Sequence, residues 1–86
     1  MLKIYGSMLC KDCVQCCSDL DQSGTDYAFL DFSEDLQNLK EFLGLRDALP
    51  IFAEVRKQGK IGIPCIVDEA GKVSLSWDFY VSQDNA

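Results

Sequence analysis

Four of the five cysteines in this chain lie within eight residues, and the spacing of two of them is typical of redox chemistry. Cys10 and Cys13 form a Cys-Xaa-Xaa-Cys pair that follows a strand-like segment and opens a helical one. A sulfur at a helix N-terminus faces unpaired backbone N–H groups and the positive end of the helix dipole, which favour thiolate over thiol. Because Cys10 precedes the helix and Cys13 lies in its first turn, we expect Cys10 to attack a disulfide and Cys13 to resolve the product.

Cys16 and Cys17 continue the apolar stripe of the same helix. Together with Cys13 and Leu20 they recur at intervals of three and four residues over a helix predicted at 11–22. Buried cysteine packs as a small hydrophobic residue. We therefore expect Cys16 and Cys17 to fill the space between this helix and a sheet.

A metal centre is the second interpretation of these cysteines. Thiolates can bind zinc or an iron–sulfur cluster, and the candidate ligands are Cys10, Cys13, Cys16 and perhaps Cys65. All-cysteine zinc sites usually pair two separate Cys-Xaa-Xaa-Cys segments, whereas this chain has one compact run. The chain contains no histidine, which excludes histidine-containing zinc sites and Cys-His or Ser-His nucleophile pairs.

The composition predicts a small acidic domain. The 86 residues, of which 48% are hydrophobic, have room for one core, so we expect a single domain at 1–86. Eight basic and fourteen acidic residues give a net charge of -6, which disfavours nucleic acid and anionic membranes as partners. No segment approaches the roughly 20 apolar residues that span a bilayer, and the N-terminal segment lacks a signal-peptide pattern. The expected location is the cytoplasm.

The elements predicted around the cysteines begin with a βαβ unit. Strand-forming runs at 2–5 and 26–32 flank the cysteine helix, and such a unit joins parallel strands by a right-handed crossover. A third strand is predicted at 65–67, followed by a turn at 68–72 and an edge strand at 73–76. The simplest packing is an α/β fold with a mixed four-stranded sheet and helices on both faces.

Two helical segments are predicted between the second and third strands. The first is expected to begin at an N-cap, Ser33, and to bury one apolar face. That face is formed by Leu36, Leu39 and Leu43, and Phe42 widens it. The second segment is predicted at 46–58 with Asp47 as its cap. Its apolar side is formed by Ile51, Phe52 and Val55.

Pro64 lies in the segment that returns to the sheet beside the first strand. A cis peptide bond there would place the backbone of Ile63 beside the Cys-Xaa-Xaa-Cys segment. The alternative is a trans proline at the first residue of a strand. The sequence leaves both conformations open.

The cysteine pair, the strand before it and the proline segment together resemble those of the glutaredoxins, a family with the thioredoxin-like fold. Tyr5-Gly6-Ser7, followed by Cys10-Lys11-Asp12-Cys13, is similar to the family's first strand, exit loop and redox motif. Ile63-Pro64 is similar to its cis-proline motif, and the resemblance covers residues 2–76. It implies the strand order 2-1-3-4 and thiol–disulfide exchange in cell redox homeostasis, with Cys10 as nucleophile and Cys13 as resolving thiol.

The resemblance also implies partners. A monomer would act on disulfide-containing proteins or small disulfides, with a reductase or glutathione as electron donor and no bound cofactor. The candidate substrate-binding residues are Ile63, Pro64, Lys11, Arg56, Lys57 and Lys60. The alternative for Arg56, Lys57 and Lys60 is that these side chains are solvated at a helix end, where their positive charges complement the helix dipole.

The chain departs from the family at three places. Lys11-Asp12 stand between the cysteines, where the family usually has Pro-Tyr or a similar pair. Ser7, Met8 and Leu9 stand where the family usually has a lysine, and Ser76-Trp77 stand near its glutathione-binding glycine pair. These departures leave the dependence on glutathione open. About ten residues follow the last strand, so we expect the C-terminal helix to be short or absent.

A third hypothesis is a redox-inert domain that binds a partner through its aromatic end. Trp77, Phe79 and Tyr80 would form the docking patch. In a small domain such aromatic residues more often fill the core. The redox, metal and partner-binding hypotheses therefore predict different surroundings for the cysteines and for the aromatic residues.

Overall fold

The computed structural model describes residues 1–82 of the chain. The strands are β1 (Leu2–Gly6), β2 (Tyr27–Asp31), β3 (Cys65–Val67) and β4 (Val73–Ser74). The helices are α1 (Lys11–Ser23), α2 (Leu36–Ala48), α3 (Ala53–Lys57) and α4 (Asp78–Ser82), with a 3-10 turn at Pro50–Phe52. Within this part of the chain no helix has the length and apolar character needed to cross a membrane.

The four strands form one mixed sheet in the order β2-β1-β3-β4, which confirms the predicted order. β1 runs parallel to β2, with Leu2 opposite Tyr27, and antiparallel to β3, with Tyr5 opposite Cys65. The C-terminal end of β1 therefore lies beside the N-terminal end of β3. Because the Cys-Xaa-Xaa-Cys segment follows β1 and the proline precedes β3, this pairing brings the two segments to the same end of the sheet.

The two faces of the sheet are covered by different helices, as predicted. One face packs against α1, and its buried core consists of Leu2, Ile4, Cys16, Leu20 and Ile66. The other face packs against α2 and the 3-10 turn, and its buried core consists of Tyr5, Phe42, Phe52 and Cys65. The alternation of side chains along β1 sends Ile4 to the first core and Tyr5 to the second.

The C-terminal aromatic residues divide between core and surface. Trp77 and Tyr80 pack against the α1 side of the sheet, and the indole Nε1 of Trp77 donates to Asp19 at 2.8 Å. Phe79 is 66% exposed and meets the Tyr80 ring edge-on. The helix α4, which carries Phe79 and Tyr80, is short, as expected.

The start and the apolar face of α2 differ from the prediction. The cap is Asp35, which directly precedes the first helical residue and whose carboxylate accepts from the Gln37 backbone N–H at 2.9 Å, while the Ser33 hydroxyl donates to Asp31. The buried residue of α2 is Phe42. Around it pack Leu45 and Leu49, while Leu36 is 73% and Leu43 39% exposed. The large phenyl ring of Phe42 outweighs the leucine pattern in setting the buried face.

The predicted helix at 46–58 is divided in the structure. α2 continues to Ala48, so Asp47 lies inside that helix and is not a cap. The chain becomes extended at Leu49 (φ -90°, ψ 137°), because a residue before proline disfavours the helical region. Phe52 is buried as predicted, whereas Ile51 is 45% exposed.

The strand β4 is shorter than predicted. It ends at Ser74, whose hydroxyl donates to the Ser76 carbonyl at 2.8 Å and accepts from the Ser76 backbone N–H at 3.2 Å. This local pair of hydrogen bonds turns the backbone away from the ladder. The predicted edge strand at 73–76 is therefore reduced to its first half.

Candidate active site

Cys10 is the N-terminal cap residue of α1. Its backbone is extended (φ -96°, ψ 124°), and its carbonyl accepts from the Val14 N–H at 3.1 Å. The side chain makes no capping hydrogen bond and is half-buried. The sulfur therefore stands at the end of the helix where the backbone N–H groups of the first turn lack helical partners.

Cys13 lies one turn further along α1 and is fully buried. Burial, helped by the neighbouring Cys10 and opposed by a hydrogen bond from the Ser7 backbone, raises the pKa of Cys13 to about 12. Cys13 therefore keeps its proton at neutral pH. Of the two sulfurs, that of the half-buried Cys10 is the more accessible and that of Cys13 is enclosed.

A chain of hydrogen bonds fixes the loop before Cys10. The Leu9 N–H donates to the Ser7 hydroxyl at 3.1 Å, the Ser7 and Ser33 hydroxyls are 3.2 Å apart, and Ser33 donates to Asp31 at 2.5 Å. The Ser33 hydroxyl, with backbone N–H groups that include that of Met8, holds the pKa of Asp31 below its ordinary value. An anionic carboxylate at the end of β2 thus anchors the loop of the neighbouring strand.

The proline loop lies in the same region. The Ile63–Pro64 peptide bond is cis, which confirms one of the two conformations considered, and Pro64 is buried. Ile63 and Cys10 both line a cleft of about 700 Å³. The apolar residues that line it are Leu9, Phe32, Val55, Ile61, Ile63 and Leu75.

Arg46, which the sequence analysis did not select, supports this cleft from the end of α2. Its Nε donates to the Ile61 carbonyl at 2.8 Å, and its Nη2 donates to the Lys60 carbonyl at 2.5 Å. An arginine in the last turn of a helix often binds nearby carbonyls. The sequence pattern instead predicts a helix at 46–58, which places Arg46 at the start of a helix and not in the last turn of α2.

The predicted substrate-binding residues do not all meet at the cleft. Lys60 and Ile63 line it, and Pro64 is buried next to Ile63. Lys11 and Lys57 are exposed and are not part of the lining. Arg56 donates to the carbonyls of Arg46 and Leu49, at 2.5 and 3.1 Å, so it joins α3 to the end of α2.

The structure does not bring the four proposed metal ligands together. Cys16 lies in the core on the α1 side of the sheet, whereas Cys65 lies in the core on the other side. Burial raises the pKa of Cys16 and of Cys65 to about 12. Among residues 1–82, no three His, Cys, Asp or Glu side chains are grouped as metal ligands would be.

Comparison with known proteins identifies one similar chain. An uncharacterized protein of Haemophilus influenzae is 35% identical over 72 residues, which cover 84% of this chain and 84% of the relative. No family model and no solved structure matches the chain. With this identity over most of both lengths, the chain belongs to the same family as the Haemophilus influenzae protein.

Proposed function

We propose that this protein is a thiol–disulfide oxidoreductase, glutaredoxin-like in its chemistry and thioredoxin-like in its fold. The observation that carries the proposal is the pairing of a half-buried Cys10, at the N-terminus of α1 and on a cleft, with a fully buried Cys13 one turn later. The sheet order, in which the proline loop joins the same cleft, supports it.

The reaction is a two-electron exchange between sulfur atoms. The Cys10 thiolate attacks one sulfur of the substrate disulfide, forms a mixed disulfide and releases the other substrate sulfur as a thiolate, which takes up a proton. Cys13 then loses its proton and attacks the Cys10 sulfur, which releases the second substrate thiolate. The substrate disulfide is reduced to two thiols, and the protein is oxidised to a Cys10–Cys13 disulfide.

Ile63 supplies the expected contact to substrate through its backbone. The Lys60 and Ile61 carbonyls are occupied by Arg46, but the N–H and carbonyl of Ile63 make no hydrogen bond within residues 1–82. An extended segment of substrate can pair with these two groups, as a strand adds to a sheet edge. Such pairing would hold the substrate disulfide beside Cys10.

The electron donor completes the proposal. The Cys10–Cys13 disulfide returns to the dithiol by the reverse exchange with glutathione or with a reductase, so the protein needs no bound cofactor. We place the protein in the cytoplasm, where thiol reductants keep cysteines reduced.

A single-turnover reaction with 2,2′-dithiodipyridine tests the proposal. We expect the reduced protein to release two equivalents of pyridine-2-thione in a fast phase and to form the Cys10–Cys13 disulfide. Cys13→Ser should release one equivalent and keep a pyridylthio group on Cys10, and Cys10→Ser should lose the fast phase. Cys17→Ser, a substitution on the packing stripe of α1, is the control and should behave as the parent protein. A fast phase that survives in Cys10→Ser contradicts the proposal.

A further inference from the structure

We propose that the cleft beside Cys10 selects extended segments of protein disulfides in which apolar side chains flank the cysteine. This substrate class rests on the exchange chemistry proposed above. It differs from a small charged disulfide such as glutathione disulfide. The lining of the cleft, its charge and its free backbone groups each favour the protein segment.

The lining of the cleft is apolar on the side where a substrate would approach. Leu9, directly before the nucleophile, is 90% exposed, and Ile61, in the proline loop, is 56% exposed. Single exposed apolar residues are common on protein surfaces and need no explanation. These two, however, line the same cleft as Cys10, with Val55 and Leu75 deeper in the fold. An apolar side chain that flanks the substrate cysteine would cover Leu9 and Ile61, and the apolar surfaces in contact would be removed from water.

The charge of the cleft does not suit glutathione disulfide. Lys60 is the one charged residue among those described as lining the cleft, and the whole chain carries a net charge of -6. Each half of glutathione disulfide brings two carboxylates and an ammonium group. Most of these charges would lose water without gaining a partner in the cleft, which is unfavourable. An internal protein segment brings no terminal charges.

The backbone groups complete the match to a protein segment. Ile63 leaves its N–H and carbonyl without a hydrogen bond in residues 1–82, and both are next to the apolar lining. An extended segment can pair with them through its own peptide groups while its flanking side chain enters the cleft. The cleft has a volume of about 700 Å³, which is within the range of clefts that bind ligands the size of a few amino-acid residues.

The selection can be measured with two matched probes. These are the symmetric disulfides of acetyl-Leu-Cys-Leu-amide and acetyl-Ser-Cys-Ser-amide, which are uncharged and differ only in the side chains that flank the cysteine. The fully reduced full-length protein converts each disulfide to two peptide thiols and becomes the Cys10–Cys13 disulfide. We expect the leucine probe to react at least about tenfold faster than the serine probe. Glutathione disulfide should react more slowly than the leucine probe.

Two leucine substitutions locate the preference. Leu9→Ser should lower the rate ratio of leucine probe to serine probe severalfold. Leu36→Ser removes a leucine that is 73% exposed on α2 and does not line the cleft, so it should leave the ratio unchanged. Equal rates for the two probes would overturn the inference, as would a preference that Leu9→Ser does not reduce.

The proposed function and the proposed selectivity fail in different ways. If 2,2′-dithiodipyridine oxidises the Cys10–Cys13 pair but the two peptide probes react equally, the selectivity is wrong and the exchange chemistry stands. If none of these disulfides oxidises the pair, the proposed function is wrong and the selectivity falls with it. A rate for glutathione disulfide that exceeds the rate for the leucine probe would also overturn the selectivity.

Discussion

A methyl group on Gly6 would lie 2.6 Å from the sulfur of Cys13. Non-bonded carbon and sulfur atoms do not approach so closely, so the end of β1 and the first turn of α1 touch only because residue 6 has no side chain. Gly6 is buried and pairs with Asp31 in the parallel ladder. Cys13, the proposed resolving thiol, is therefore positioned by direct contact with the backbone of the central strand.

Gly6→Ala should displace Cys13 and destabilise the protein. The cost of forcing a methyl group into a packed site is about 1–3 kcal/mol in the free energy of unfolding, which chemical denaturation measures. In the same variant the Cys10–Cys13 disulfide should form more slowly, because the second sulfur has moved. The mixed disulfide at Cys10 should accumulate in mass spectra.

Gly44→Ala is the matched control for this substitution. Gly44 lies inside α2, and a methyl group there would meet no atom within 4 Å. Alanine is the better helix former, so Gly44→Ala should raise the free energy of unfolding by about 0.5–1 kcal/mol. Equal effects of the two glycine substitutions would contradict the proposed contact at Gly6.

Alkylation of the native protein should distinguish Cys10 from the other four cysteines. Cys10 is half-buried, whereas Cys13, Cys16 and Cys65 are 0% exposed and Cys17 is 6% exposed. We expect iodoacetamide at neutral pH to modify one thiol per chain, identified as Cys10 by peptide mapping. Denaturant should make all five thiols reactive. Modification of a different cysteine first would contradict the placement of the site.

The buried thiols should make the protein lose stability in alkali. Burial alone raises the pKa of Cys65 from the ordinary value of 9.0 to about 12. Between these pH values the unfolded chain gives up the proton that the folded protein keeps. The free energy of unfolding therefore falls as the pH rises above 9.0, and the contribution is complete below that pH.

Cys65→Ala tests this pH dependence. One thiol contributes at most about 1.4 kcal/mol per pH unit to the slope. The variant should therefore show a shallower fall in the free energy of unfolding across this interval, measured by urea denaturation at a series of pH values. The loss of side-chain volume lowers stability at every pH, so the slope and not the absolute value is the test. An unchanged slope would show that Cys65 does not titrate in this range.

Arg46→Met should release the loop that carries Lys60 and Ile61. The variant loses two charge-assisted hydrogen bonds to backbone carbonyls, a loss of about 1–3 kcal/mol in the free energy of unfolding. Amide hydrogen exchange at residues 61–63 should become faster. Lys40→Met is the control, since Lys40 lies exposed on the same helix and its side chain makes no hydrogen bond within residues 1–82. Unchanged exchange at 61–63 in Arg46→Met would contradict the support role.

The sequence was sufficient to predict the elements that carry strong local patterns. The helix α1 was predictable because its buried residues recur at helical spacing and so lie together on one face. These residues are Cys13, Cys16, Cys17 and Leu20. The sheet order was available through the resemblance to a family, whereas the conformation at Pro64 stayed open until the structure showed a cis peptide bond. These features place Cys10 and the proline loop at one end of the sheet.

The parts that the sequence did not predict depend on contacts distant along the chain. Phe42 was placed on the apolar face of α2, but its dominance over Leu36 and Leu43 comes from its packing against Phe32 and Phe52 of other elements. Arg46 supports a loop that is 14 and 15 residues further along the chain, so the local sequence does not identify the carbonyls it binds. The contact of Gly6 with Cys13 likewise exists only after β1 and α1 have packed together.

An equilibrium redox titration with dithiothreitol, read by mass spectrometry after acid quenching and alkylation, tests the central claim most directly. We predict one two-electron couple, in which the oxidised protein is two hydrogen atoms lighter and its single disulfide joins Cys10 to Cys13. Cys10→Ser should abolish the couple, while Cys17→Ser should retain it. If the protein remains reduced at every accessible potential, or if its disulfide joins a different pair of cysteines, the account of this site is wrong.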